Sequence, residues 1–212
     1  MEEAIEFYTH PSSRGRIGRW MLEETGAAYR TEYLEYGAPM QAPGYLAINP
    51  MGKVPAIRHR GRVVTECAAI CAYLADAFPH AGLAPPPEDR AAYYRWLFFA
   101  AGPLEAAITN KALGVVVPEA RRGMVGYGSF ERVLDTLETA VSTAAHVAGE
   151  RFSAADVYVG SQVGWGLQFG TIEKRPAFVD YWSRICDRPA LARANRIDDA
   201  AAAAAVAAKP AA

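Results

Sequence analysis

The chain has 212 residues, a length that allows one large domain or two small ones. Apolar residue types make up 51% and charged types 21%, which is typical of globular proteins and excludes a mainly disordered chain. Lys and Arg number 22 against 23 Asp and Glu, so the chain lacks the positive excess that neutralising nucleic-acid phosphates requires, and we expect no nucleic-acid partner.

The N-terminus and the cysteines both favour a cytoplasmic protein. Residues 1–4 are acidic and lack the basic and apolar blocks of an export signal. The apolar stretches are far shorter than the ~20 residues that a membrane-spanning helix needs, so we expect no membrane partner. Cys67, Cys71 and Cys186 are an odd number without a C-x-x-C spacing, which argues against both disulfides and a bound metal. Reduced thiols fit the cytoplasm.

Residues 1–78 alternate short strand-like and helix-like patterns, which predicts an α/β domain. The order of the patterns is strand, helix, strand, then a hairpin and a final helix. We predict strands over residues 5–8 and 29–34, a helix over 17–24 that ends at Gly26, a hairpin of strands 54–57 and 62–65 turning at 59–61, and a helix over 66–78.

Residues 79–88 break every periodic pattern with prolines and a glycine, which predicts a linker between two domains. Only helical patterns follow it, so residues 89–197 are predicted to form an all-helical domain. Within that domain, Ser153 and Asp156 form an S-x-x-D capping box at the start of one helix.

The end of the chain is predicted to carry little packed structure. The last amphipathic helix is expected to stop at Arg188–Pro189, because proline is unfavourable inside a helix. Residues 198–212 are rich in alanine, which favours helix but buries little area. We predict a frayed helical extension or a disordered tail there.

The turn between the first strand and the first helix, Thr9 to Arg14, is rich in hydroxyl groups. A helix N-terminus carries a partial positive charge and unpaired N–H groups, which would stabilise a thiolate. A free thiol has a pKa of ~8.5, and one serine hydroxyl would add a charge-assisted hydrogen bond worth ~1.5 to 3 kcal/mol. The alternative is that Ser12 or Ser13 only caps the helix.

A second string, Asn49 to Pro55, reads N-P-x-G-K-V-P and precedes a predicted strand. A cis bond before Pro55 would turn the main-chain N–H and C=O of Val54 towards an open cleft. Val54 would then pair with a short extended peptide, and Lys53 would meet the carboxylate of that peptide. The alternatives are an ordinary edge-strand proline and a solvated lysine.

A third string, Thr65 to Ile70, begins a helix with a carboxylate at Glu66. That carboxylate would bind an ammonium group, while the exposed N–H groups of the helix start would bind a carboxylate. One helix start would therefore hold both ends of an α-amino acid. The alternative is that Glu66 only complements the helix dipole.

Taken together, these strings resemble the cytosolic glutathione transferase family over nearly all of residues 4–195. The motifs that carry the resemblance are N-P-x-G-K-V-P, the T-E-x-x-A-I start at Thr65 to Ile70, and F-S-A-A-D at Phe152 to Asp156. The resemblance implies a thioredoxin-like α/β domain followed by an all-α domain, with glutathione as co-substrate and without a metal.

The resemblance also implies roles for individual residues. Val54 would pair with the cysteinyl backbone of glutathione across cis-Pro55, Lys53 would lie near the glycyl carboxylate, and Glu66 would hold the γ-glutamyl end. Most members have serine after this glutamate, whereas this chain has Cys67, a weaker hydrogen-bond donor. The N–H of residue 67 would still bind the γ-glutamyl carboxylate.

The group that faces the sulfur stays open, because classes of the family use different positions. The serine of the phi, tau, theta and zeta patterns falls on Ser12, the tyrosine of alpha-like patterns falls on Tyr8, and Ser13 is the third candidate. An aromatic residue such as Tyr8 at the end of an inner strand is ordinarily part of the core. The turn has no cysteine, so the mixed disulfide of the beta and omega classes is not expected.

The resemblance implies transfer of glutathione to a small, largely apolar electrophile by a homodimer. Two alternatives remain at this point. One is a non-catalytic member that binds glutathione as a regulatory module, and the other is a glutathione-dependent reductase or dehalogenase.

Overall fold

The computed structural model of the protein describes residues 4–208. Residues 1–3 and 209–212, which hold most of the acidic N-terminus and the end of the predicted alanine-rich tail, lie outside the described residues. The chain separates into two compact units. The first unit combines the residues up to Ala81 with those from Arg188 onward, and the second unit is Gly82–Asp187.

The first unit is built on a four-stranded sheet with the order β2-β1-β3-β4. Its strands are β1 (Ile5–Thr9), β2 (Tyr29–Tyr33), β3 (Ala56–His59) and β4 (Arg62–Thr65). β1 is parallel to β2 and antiparallel to β3, and β3 is antiparallel to β4. The predicted succession of strands along the chain is confirmed. β3 begins two residues later than predicted, because Pro55 has no N–H to give to the ladder.

The hairpin turn between β3 and β4 has positive φ angles at both central residues, 52° at Arg60 and 71° at Gly61. Two positive φ angles are what a two-residue type I′ turn requires, and this turn matches the twist of the flanking strands. The hairpin predicted around residues 59–61 is therefore confirmed.

The helices of the described chain divide between the two units. In chain order they are α1 (Gly15–Thr25), α2 (Pro43–Leu46), α3 (Cys67–Ala77), α4 (Ala91–Phe99), α5 (Glu105–Ala112), α6 (Phe130–Thr143), α7 (Ala154–Phe169), α8 (Pro176–Ile185) and α9 (Pro189–Ala207). Helices α1, α2, α3 and α9 belong to the first unit, and α4 to α8 form the second. No helix within residues 4–208 combines the length and apolar character needed to cross a bilayer.

The core of the second unit surrounds α7, most of whose residues are buried. The predicted capping box is present: the Ser153 hydroxyl caps the start of α7, and Asp156 accepts from the Ser153 N–H at 2.9 Å. The buried Asp156 carboxylate also accepts from the N–H of Val147 at 2.8 Å and from the hydroxyl of Tyr181 at 2.9 Å. Burial raises the pKa of Asp156, and these hydrogen bonds oppose that shift. One carboxylate therefore joins α7 to α8 and to the preceding loop.

The end of the chain differs from the sequence prediction at Pro189 and in the unit to which residues 189–197 belong, whereas the alanine-rich segment forms a helical extension, one of the two predicted alternatives. Pro189 does not end the helical structure but stands at the first position of α9, where the missing N–H costs nothing. Residues 189–197, predicted to belong to the helical domain, cluster with the first unit. The alanine-rich segment continues α9 as helix through Ala207.

Helix α9 packs on α1 within the first unit. The Arg19 side chain on α1 donates to Asp198 on α9 at 2.7 Å, and each side chain of this pair is 1% exposed. Its guanidinium also lies within cation–π distance of the Phe7, Tyr29 and Tyr33 rings. Removing either partner would leave a buried charge without compensation, which is strongly destabilising.

Replacing Asp156 with alanine should lower the free energy of unfolding by at least about 3 kcal/mol, because several buried donors lose their acceptor at once. Urea denaturation followed by circular dichroism measures this change. As a control, Asp135→Ala removes an aspartate that is 60% exposed and paired with Arg175, and it should cost at most about 1 kcal/mol. Equal losses in the two variants would contradict the role given to Asp156.

Candidate functional site

The pairing of the strands brings the three predicted strings to one edge of the sheet. Tyr8 on β1 pairs with Ala56 on β3, and Ala56 pairs with Thr65 on β4. Because β3 runs antiparallel to both neighbours, its first residue lies beside the last residues of β1 and β4. The turn after β1, the Val54–Pro55 bond before β3, and Glu66 after β4 therefore meet at this edge.

Side-chain contacts tie these segments to the start of α1. The Cys67 thiol at the start of α3 contacts the carbonyl oxygen of Arg14, with 3.5 Å between sulfur and oxygen. Gly18 on α1 lies so close to the strand entry that an added Cβ would be 3.8 Å from the Pro55 ring. Both helix starts and the strand entry thus surround the same region of the first unit.

The N-P-x-G-K-V-P string is shaped by two residues for which the sequence suggested no role. The buried Asn49 amide donates to the Lys53 carbonyl at 2.7 Å, and its oxygen accepts from the Met51 N–H at 3.1 Å. Gly52 has a φ of 59°, and a Cβ there would lie 2.3 Å from the Gln41 amide nitrogen. Asn49 and Gly52 therefore hold the loop in the shape that presents Lys53 and Val54.

The bond between Val54 and Pro55 is cis, as the family resemblance implied. Val54 precedes the first residue of β3, so its main-chain N–H and C=O lie outside the ladder that begins at Ala56. The Lys53 side chain is exposed, while the carbonyl of Lys53 is held by the Tyr45 hydroxyl at 2.6 Å. This arrangement leaves a main-chain pair and an ammonium group at the edge of the sheet.

The N–H groups at the start of α1 are largely in use, contrary to the sequence expectation. The N–H of Ser12 donates to the His10 ring at 3.1 Å, and that of Ser13 donates to the His10 carbonyl at 3.1 Å. The N–H of Gly15 donates to the Ser13 hydroxyl at 2.9 Å, and that of Arg16 donates to the Ser13 carbonyl at 3.2 Å. The helix still contributes its field, but an anion here needs a donor from a side chain.

The three candidate hydroxyls differ in what they already bind. The Ser13 hydroxyl donates to the His10 carbonyl at 2.7 Å while it accepts from Gly15, so its hydrogen is engaged within the turn. The Tyr8 hydroxyl donates to Glu6 at 2.6 Å. Burial and then this hydrogen bond raise the pKa of Tyr8 to about 12.

The Ser12 hydroxyl is exposed, and within residues 4–208 it has no hydrogen-bond partner. Its main chain is nevertheless fixed, because its N–H donates to His10 and its carbonyl accepts from the Tyr36 hydroxyl at 3.1 Å. The rings of His10 and Tyr36 are in contact, with their centroids 4.2 Å apart and their planes tilted by 38°. Of the three candidates, Ser12 combines a fixed backbone with an unused hydroxyl.

Sequence reasoning missed the contributions of His10 and Tyr36. His10 lies inside the turn that the sequence analysis singled out, so its position could have indicated a contact with the turn. Tyr36 lies in the loop after β2, where no motif marked it. Its contact with the Ser12 carbonyl depends on how that loop folds back over the turn.

Glu66 and Cys67 stand at the start of α3 with opposite exposure. Glu66 is exposed and has a φ of 63°, a conformation that costs a non-glycine residue energy and is often found at functional sites. Cys67 is buried and contacts Cys71 one turn along the helix. This contact, followed by burial, raises the pKa of Cys71. No cluster of His, Cys, Asp or Glu within residues 4–208 is arranged to hold a metal ion.

Comparison with known proteins matches both halves of the chain to the same family. Residues 11–77 match the model of the glutathione S-transferase N-terminal domain, and residues 128–189 match that of the C-terminal domain. Glutathione S-transferase GstA of Escherichia coli O157:H7 is 30% identical over 152 residues, covering 68% of this chain and 73% of that protein.

Solved structures give the same result. A glutathione transferase from Methylococcus capsulatus is 28% identical with a TM-score of 0.75, and the match covers 93% of this chain and 100% of that one. A sphingomonad glutathione S-transferase in complex with glutathione is 27% identical with a TM-score of 0.74, covering 92% of this chain and 98% of that one.

Replacing Glu6 with glutamine should lower the pKa of Tyr8 from about 12 towards its ordinary value of 10, because the carboxylate that disfavours tyrosinate is lost. The pKa should stay above 10, since burial remains. Carbon NMR titration of ring-labelled tyrosine, assigned with Tyr8→Phe, measures it. Glu23→Gln is the matched control: Tyr29 donates to Glu23 at 2.6 Å, so that variant should shift Tyr29 and not Tyr8. An unchanged pKa of Tyr8 in Glu6→Gln would show that Glu6 does not hold the Tyr8 hydroxyl. That hydroxyl would then be available as a donor to another group.

Proposed function

Since the chain belongs to the glutathione S-transferase family, we propose that it binds glutathione in its first unit and transfers it to an electrophilic, largely apolar second substrate. The observation that carries this proposal is the exposed hydroxyl of Ser12 in the turn before α1, which has no hydrogen-bond partner in the part of the chain that the structure describes. Strand pairing brings this turn to the edge of the sheet where the Val54–Pro55 bond and Glu66 also lie. The glutathione bound in the sphingomonad structure supports the choice of ligand.

The proposed role of Ser12 is to donate its hydroxyl proton to the glutathione thiolate. One charge-assisted hydrogen bond is worth about 1.5 to 3 kcal/mol, which corresponds to a thiol pKa lower by one to two units. The N–H groups of Ser12, Ser13, Gly15 and Arg16 have partners in the turn, so the side chain is the better donor. The field at the start of α1 adds to this effect.

The chemical step then needs little from the protein beyond binding and electrostatics. The thiol proton leaves to water, and the thiolate attacks an electrophilic carbon of the second substrate. A new carbon–sulfur bond forms, and the leaving group departs with the bonding electron pair. Where the substrate has no leaving group, the thiolate adds to one atom of a double bond, and the π electron pair moves to the other atom, which then takes up a proton.

The remaining site residues are proposed to hold the ends of the tripeptide. The main chain of Val54 pairs with the cysteinyl residue, and the exposed Lys53 ammonium attracts the glycyl carboxylate. At the start of α3, Glu66 binds the γ-glutamyl ammonium, and the N–H of Cys67 binds the γ-glutamyl carboxylate. The buried Cys67 thiol, turned to the Arg14 carbonyl, takes no part in this binding.

The assembly and location proposed for the protein follow from its family. We propose a homodimer in the cytoplasm that acts in detoxification. The absence of a metal cofactor, of a nucleic-acid partner and of a membrane partner also stays a prediction.

Replacing Ser12 with alanine should raise the pKa of the bound glutathione thiol by about one to two units, because the thiolate loses its donor. Turnover of an aryl halide at neutral pH should fall by about ten- to a hundredfold. Ultraviolet absorbance of the bound thiolate against pH, together with the conjugation rate, measures both effects.

Ser13→Ala is the control for this experiment. It should cost about 1 kcal/mol of stability through loss of the contact with Gly15, and it should leave the thiol pKa unchanged. If Ser13→Ala moves the thiol pKa instead, the donor is Ser13. If calorimetry detects no glutathione binding to the wild-type protein, the proposed function is wrong, and binding without turnover indicates a non-catalytic member.

Lys53→Ala and Glu66→Gln should each weaken glutathione binding by about tenfold, because each removes one charged contact to an end of the tripeptide. The pKa of the bound thiol should not change, since neither residue faces the sulfur. Isothermal titration calorimetry gives the dissociation constants. Met51→Ala, an exposed substitution in the same loop, should bind like the wild type. Wild-type affinity in both charged variants would remove these residues from the site.

A further inference from the structure

Three ion pairs join α1 to α9, and a fourth joins α1 to Arg188, the residue directly before α9. Glu24 accepts from Arg188 and Glu23 accepts from Arg193 near the end of α1. The buried Arg19–Asp198 pair lies in the middle, and Arg16 on the first turn of α1 donates to Asp199 at 2.6 Å. The chain therefore brings the second half of α9 to the start of α1, where the turn with Ser12 lies.

Arg16 differs from the other arginines of this contact because it also reaches the turn. Its Nε donates to the carbonyl oxygen of Pro11 at 2.6 Å, while its Nη2 donates to Asp199. Pro11 directly precedes Ser12 in the chain. One guanidinium thus connects α9 to the peptide group that joins Pro11 to Ser12.

The peptide group between Pro11 and Ser12 is held at both of its polar atoms. Its oxygen accepts from Arg16, and its N–H donates to the His10 ring at 3.1 Å. A peptide group is planar, so two contacts on opposite sides fix the orientation of its plane. The next peptide group is also held, because the Ser12 carbonyl accepts from the Tyr36 hydroxyl at 3.1 Å. With the peptide planes on both sides of Ser12 held, the direction of its Cα–Cβ bond is fixed. Loss of the Arg16 contact would free one side of this plane.

We propose that Arg16 is a positioning residue for the Ser12 hydroxyl and that Asp199 of α9 holds Arg16 in the conformation that does this. The proposal rests on the proposed function for its catalytic consequence. Arginine has a long, flexible side chain that loses conformational entropy when it is held in one geometry. Asp199 supplies the second contact that keeps the guanidinium against the Pro11 carbonyl.

Stability of the helix pair does not depend on this contact. Arg19–Asp198 is buried, whereas the Asp199 side chain is 66% exposed and the Arg16 side chain 25% exposed. An exposed ion pair contributes little to folding, and the pairs of Arg188 and Arg193 also hold α9 on α1. The effect of Arg16 should therefore appear in the site and not in the melting temperature.

The test compares Arg16→Gln and Asp199→Ala with Arg193→Gln, which breaks an equivalent pair at the far end of the same two helices. Arg16→Gln should lower kcat by about tenfold, the effect of one charge-assisted hydrogen bond on the position of the donor. The pKa of the bound thiol should rise, while the dissociation constant of glutathione and the melting temperature stay near wild type.

Asp199→Ala should shift kcat and the thiol pKa in the same direction but less. The double variant should equal Arg16→Gln alone, because Asp199 acts through Arg16. Arg193→Gln should change neither quantity. A thiol pKa that is unchanged in Arg16→Gln, or changed equally in Arg193→Gln, would overturn the proposal.

Backbone amide relaxation of Ser12 by NMR tests the positioning without any substrate. Arg16→Gln and Asp199→Ala should increase the motion of this amide, and Arg193→Gln should not. If the wild-type protein neither binds nor turns over glutathione, the proposed function fails, while the amide measurement still decides whether Arg16 orders the turn. Unchanged Ser12 motion in Arg16→Gln would contradict the inference whatever the activity.

Discussion

The register of one row of residues across the sheet brings together the segments of the proposed glutathione site. Tyr8, Ala56 and Thr65 stand side by side, at or one residue from the ends of their strands. Three loops that are far apart in sequence therefore meet at one edge of the sheet. A shift of one residue in this register would turn every alternate side chain to the other face and separate the loops.

At this edge of the sheet, the role proposed for each hydroxyl depends on whether its hydrogen already has an acceptor. Ser13 and Tyr8 are as well placed in the sequence as Ser12, but their hydroxyls serve the His10 carbonyl and Glu6. A hydroxyl has one hydrogen to donate. The same argument applies to the start of α1, where the N–H groups of Ser12, Ser13, Gly15 and Arg16 already donate to acceptors within the turn.

Much of the first unit was predictable because its signals are local. Alternation marks the strands, Gly26 ends α1 with a φ of 67°, and the N-P-x-G-K-V-P string carries the cis bond before Pro55. The hydrogen bonds that distinguish Ser12 from Ser13 were not predictable, because adjacent serines differ only in which acceptor their hydroxyls reach. Helix α9 was not predictable either, because a proline at position 189 is compatible both with the end of one helix and with the first position of the next. Asp198 meets Arg19 across 179 residues, a pairing with no local pattern.

The contribution of α9 makes the first unit discontinuous in the chain, and this has a consequence for biosynthesis. Residues up to Ala81 leave the ribosome long before residues from Arg188 onward exist. Until then Arg19 lacks Asp198, and the face of α1 that packs on α9 is open to solvent. Domains ordinarily fold in the order of their synthesis. Here the amino-terminal unit reaches its final form last, and a fragment cut after Ala81 would be an incomplete domain.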